Sequence, residues 1–243
     1  MKRILLVAVG VCVAFIACLG QLPLGQIWDK AAGTASPAGA GLSNDKIIAG
    51  LKEALTVSTG KAVALTGRPD GFLKNQAIKI LLPDKLRTAE KGMRLVGMGP
   101  QLDELEVGMN RAAEQATPKA KQIFVNAVKQ MTINDARGIL TGGNTAATQY
   151  FKRQSTAELT AAFTPIVHQS LVNVGVVKQY EHLMQNSMAA PLLGKDAFNL
   201  DKYVVGKTMD GLFYMLGEEE KKIRTNPAAQ TTALLKQVFG KGL

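Results

Sequence analysis

From Ser43 onward the apolar side chains recur every three or four positions, and no run alternates with period two between turn residues. This spacing constrains the fold more than any other feature. It gathers the apolar atoms of each segment onto one stripe of a helix and leaves no segment patterned as a half-buried strand. After Ser43 and Asn44, residues suited to a helix start, Ile47, Ile48, Leu51, Leu55 and Val63 share a face. Gly67-Arg68-Pro69-Asp70-Gly71 then breaks the pattern. Pro83 and Pro118 each stand where a first helical turn would open, because that position needs no amide hydrogen.

The stripe after Pro83 is Leu86, Ala89, Met93 and Val96, and the one after Pro118 is Ala120, Ile123, Phe124, Ala127, Val128 and Met131. Between them Leu102, Leu105, Met109, Ala112, Ala113 and Ala116 form another. Gly142-Gly143 reads as a stop, and Thr156 to Asn173 resumes helical spacing with Pro165 inside it, which predicts a kink or two shorter helices. The expectation is an all-α fold: one compact domain of about eight to ten helices over residues 43–243, with no fixed-period repeat. A segment of that length can bury one sizeable core.

The first residues read differently. Lys2 and Arg3 precede an apolar run from Ile4 to Ala17, the pattern of a secretory signal peptide and too short to span a bilayer comfortably. Phe15-Ile16-Ala17-Cys18 resembles the lipobox of bacterial lipoproteins, which makes Cys18 the candidate lipidation site; Phe15 departs from the usual leucine. The alternative is an ordinary signal peptide cut after Gly20. Residues 18–42, with Ala31 to Gly41 built of small residues, read as a tether, because such a run cannot bury enough apolar surface to offset its ordering entropy. Cutting before Cys18 leaves a single thiol, so no internal disulfide can form and stability must come from burial.

Lys2 and Arg3 leave with the signal, so the net charge of +10 falls to +8. Such an excess favours encounter with anionic surfaces such as lipid head groups. Nucleic acid is excluded as a partner by export and by an aromatic content of only 5%, which leaves few stacking platforms.

Five segments carry a resemblance: LSNDKIIAGLKEAL (42–55), PDGFLKNQAIKILLP (69–83), MNRAAEQATPKAKQIFVNAVKQM (109–131), GGNTAATQYFK (142–152) and GLFYMLGEEEKKIRTNPAAQTT (211–232). Together they resemble an uncharacterised family of exported bacterial proteins, a domain of unknown function. The resemblance implies an all-helical envelope protein, often predicted to be a lipoprotein, with no catalytic residues to transfer.

No motif for chemistry stands out. In EEEKKIR, Glu218 with Lys222 and Glu220 with Arg224 stand four apart, acid first, so the run reads as a solvated helix end before Asn226-Pro227. A metal site on the three glutamates is disfavoured because adjacent residues splay around a helix. His168 and His182 stand 14 apart, without zinc-site spacing. There is no GxSxG elbow, and GILTGGNT (138–145) lacks the lysine of a phosphate loop and reads as a helix stop, cap and restart. Asp103 and Glu106 are the best exposed acid pair, explained equally well by a first helical turn. Arg87, Lys91 and Arg94 fall at i, i+4 and i+7 beside an apolar face and form a candidate contact for anionic surfaces, or else a solvated helix face.

The expected function is that of a non-enzymatic envelope lipoprotein, without cofactor, facing the periplasm from the outer membrane and acting as an interaction or binding module toward an anionic lipid surface or an envelope protein. The alternatives are a helical carrier of an apolar ligand, marked by an empty apolar cavity, and an enzyme acting on an envelope polymer or lipid, marked by two carboxylates in a cleft.

Overall fold

The structure, a computed structural model, describes residues 44–173 and 199–230, together with 175, 178, 180 and 236. These belong to one compact unit, residues 42–243. Its helices are α1 (Asn44–Gly67), α2 (Asp84–Leu95), α3 (Gly99–Ala116), α4 (Ala120–Gln130), α5 (Ile133–Thr141), α6 (Ala146–Asn173) and α7 (Leu200–Thr225). Short 3-10 turns, Thr117–Lys119 and Pro227–Ala229, follow α3 and α7. No strand occurs among the described residues, so the all-α expectation holds, while the described helices do not establish the count of eight to ten. No described helix is long and apolar enough to cross a membrane.

α6 and α7 run antiparallel along their length. Ala147 meets Glu220 at one end, Thr160 meets Met209 midway and His168 meets Asp201 at the other. α1, α3 and α4 pack around this pair. The apolar stripes of α3 and α4 are buried as spaced, and Phe124, Phe151 and Phe213 meet at the centre with ring centroids 5.1 and 6.2 Å apart. The edge-on contact of Phe124 with Phe151 adds to the area that the rings bury. The described core is drawn entirely from Leu51 to Ile223, so the 42–243 unit carries its own.

Three details depart from the periodicity. Val96 lies past the end of α2 and is 69% exposed rather than in the core. Pro83 is the residue before α2, not inside its first turn. α6 runs unbroken from Ala146 through Pro165, so two shorter helices do not form. Pro165 and Ala161, whose carbonyl loses its amide partner, are both exposed, and water can take that place.

The connection from α1 to α2, residues 68–83, is not helical; its own turns bond part of its backbone, and one polar stripe of α3 serves three further amides and a carbonyl. Glu114 accepts the amides of Phe72 and Leu73 at 3.0 and 3.1 Å. Asn110, fully buried, accepts the Ile80 amide at 2.9 Å and donates to the Ile80 carbonyl at 2.8 Å. Glu106 pairs with Lys79 at 2.6 Å. These three stand four apart on α3, so a single helix face supplies partners that a buried loop would otherwise lack. Gly211 of α7 makes room for Phe72: a Cβ there would lie 2.6 Å from the ring.

Candidate functional site

The 67–71 turn holds the one residue other than glycine with positive φ among the described residues. Asp70 has φ 64°, the left-handed region, which aspartate tolerates better than most residues. Gly71 follows because a Cβ there would sit 2.5 Å from the Leu65 carbonyl oxygen. The Asp70 carboxylate is gripped from both sides, by Lys74 Nζ at 2.8 Å and Arg111 Nη2 at 2.7 Å. Arg111 turns its other nitrogen to Glu114, 2.7 Å away, so one guanidinium joins the turn to the acid that holds the loop. Hydrogen bonds from Lys74 and then Arg111 hold the Asp70 carboxyl below the ordinary carboxylate range.

Two open grooves flank this turn. One, of about 500 Å³, is lined by Arg68, Asp70, Lys74, Asn75, Gln76 and Met215. The other, of about 330 Å³, is lined by Arg111, Glu114, Gln115 and Pro118 together with Gly67 and Pro69. Arg68 is exposed and makes no ion pair among the described residues, so its charge faces solvent at the groove edge. The first groove can therefore offer a cation and the side-chain amide of Gln76 to a polar or anionic group.

The charge run at 218–224 does not form a solvated end. Glu219 and Glu220 are buried, and Lys222 pairs with Glu219 at 2.7 Å rather than with Glu218. Glu220 pairs with Arg224 at 2.9 Å as the spacing predicts, but inside the protein. Its carboxylate accepts the amides of Ala147 and Thr148 at 2.9 and 2.8 Å and the Thr148 hydroxyl at 2.8 Å. The acid thus caps the first turn of α6, where free amides and the helix dipole favour negative charge. Arg224 also donates to the Ile139 carbonyl in the last turn of α5, at 2.7 Å. One pair on α7 therefore clamps the end of one helix and the start of the next, and the 138–145 stretch is the stop and restart between them.

The other sequence candidates are dispersed. Asp103 binds Arg94 at 2.6 Å and Glu106 binds Lys79, and neither lies in the first turn of α3, which opens at Gly99. His168, exposed on α6, lies 2.7 Å from Asp201; His182 and Cys18 fall outside the described residues. Of the basic stripe, Arg87 pairs with Asp84 and Arg94 with both Glu90 and Asp103, while Lys91 is exposed and unpaired among the described residues. No cluster of His, Cys, Asp or Glu able to hold a metal occurs among the described residues. The 67–71 break is where the sequence places it, but the loop-holding roles of Asn110 and Glu114 and the ion pairs of Asp70 do not show in the sequence pattern. The nearest signal is polar residues repeating at i, i+4 and i+8 within an apolar helix.

Residues 41–240 match the family described as "Protein of unknown function (DUF4197)". The chain belongs to that family. The DUF4197 region contains the grooves, the α3 stripe and the α7 clamp. Comparison with curated proteins and with solved structures gives no significant match.

Proposed function

We propose that this DUF4197 protein is an exported envelope lipoprotein, anchored through Cys18, that binds a partner without catalysing a reaction. The observation that carries the binding reading is the open groove beside Asp70, whose wall is tied by the ion pairs of Asp70 with Lys74 and Arg111 and whose rim bears Arg68, without an ion pair among the described residues. The disposition of the acids also favours it. Glu114 and Glu220 hold backbone amides, Asp103 and Glu106 are ion-paired, and Asp70 and Asp103 are held below the ordinary carboxylate range, the wrong direction for a proton donor near neutral pH. For a carrier, the small gap between α1, α6 and α7 holds about 10 Å³, enough for one water. The outer membrane is the proposed location because Leu19 follows the anchor where an aspartate would be associated with inner-membrane retention.

Two measurements test the proposal. Mass spectrometry of the mature N-terminal peptide should find an acylated Cys18, and an unacylated peptide starting beyond it overturns the anchor. A photo-crosslinking residue at Gln76, introduced in the living cell, should give a discrete adduct that is lost in Arg68→Glu. No adduct, or one indifferent to Arg68, overturns binding at the groove.

A further inference from the structure

The end of α2 carries two large apolar side chains in solvent: Leu95 is 89% and Val96 69% exposed. The core side of α2 is Leu86 and Met93. Arg87, Lys91 and Leu95 stand four apart in succession, so the opposite side presents two cations leading to an apolar tip. The structure revises the basic stripe. Arg94, held by Glu90 and Asp103, is tied down toward α3, whereas Lys91 is unpaired among the described residues. Among the described residues Arg87 pairs only with Asp84, itself 88% exposed, so its pair is readily screened.

We infer that this face of α2 docks on an anionic lipid bilayer, with Leu95 and Val96 entering the head-group boundary while Arg87 and Lys91 meet the anionic groups. Charge selects this occupant: the chain without its signal segment is +8, and the face pairs exposed cations with apolar atoms in the arrangement of an interfacial helix. The inference rests on the lipoprotein reading for proximity. A tether of residues 18–42 would keep the domain within roughly 25–30 Å of its anchor on average, so weak contacts suffice at that effective concentration.

The test uses residues 43–243, which carry their own core and lack the anchor, sedimented with vesicles of phosphatidylglycerol and phosphatidylethanolamine. Binding should fall about tenfold or more in the double variant Leu95→Ser, Val96→Ser. It should fall comparably in Arg87→Gln, Lys91→Gln, and it should weaken with salt and on phosphatidylcholine. Both variants change exposed side chains, and circular dichroism checks that they fold. Undetectable binding, or binding indifferent to Leu95 and Val96, overturns the inference. So does a concentration-dependent dimer that the serine variant abolishes without lipid, which assigns the face to a second copy. Failure of the anchor is read separately: an unacylated N-terminus with vesicle binding intact removes the lipoprotein reading and leaves the docking face standing.

Discussion

Glu220 shows how far one carboxylate can reach. It satisfies two amides and a hydroxyl of α6 and neutralises Arg224, while 5% of its side chain remains exposed. Replacing it with alanine takes the counter-charge from Arg224, which keeps its bond to the Ile139 carbonyl, and uncaps a helix; removing one partner of a buried pair costs about 3–5 kcal/mol. Glu218, two positions away and partly exposed, has no such partners among the described residues, and its alanine variant should stay within about 0.5 kcal/mol of the parent. Urea unfolding of the two variants checks this; equal effects would mean that the clamp contributes nothing particular. Sequence spacing could pair Glu220 with Arg224 but could not tell a wet pair from a buried one, because burial depends on the α5–α6 junction covering it.

At the scale of the element, helical stripes were legible because period 3.6 maps onto burial wherever a helix packs on one side. The six apolar positions of α3 are all fully buried. The periodicity fails at helix ends, where Val96 has left the helical path and no neighbour covers it. Pro165 illustrates a second limit: a helix breaker by propensity is carried by the packing of Leu159, Phe163, Val167 and Leu171 along the other side of α6. Pro165→Ala should therefore restore a backbone hydrogen bond at an exposed site and stabilise the fold by up to about 3 kcal/mol. A thermal midpoint that does not rise would show that α6 is already bent to suit the ring.

For the whole molecule, three aspartates contribute to the acid limb of stability. Asp70, Asp103 and Asp135 are held below 3.8, chiefly by hydrogen bonds from Lys74, Arg94 and Thr132 respectively. A carboxylate depressed in the folded state stabilises at pH above its unfolded value and loses that contribution as pH falls through the folded one. The urea midpoint should accordingly hold from neutral pH to about 5 and decline below about 4. The decline should be shallower in Asp70→Asn. An identical acid limb in parent and variant would remove Asp70 from this account.

The helical class, the stripes of α3 and α4 and the breaks at Gly67 and Gly142 follow from the sequence by itself, because each depends on residues within a few turns of one another. The Asp70 turn, the Glu106–Asn110–Glu114 ladder and the Glu220 clamp were decided only by tertiary structure. Their partners lie about 30 to 70 positions away, and whether a charge is bound or free there depends on which helix ends the fold brings against it.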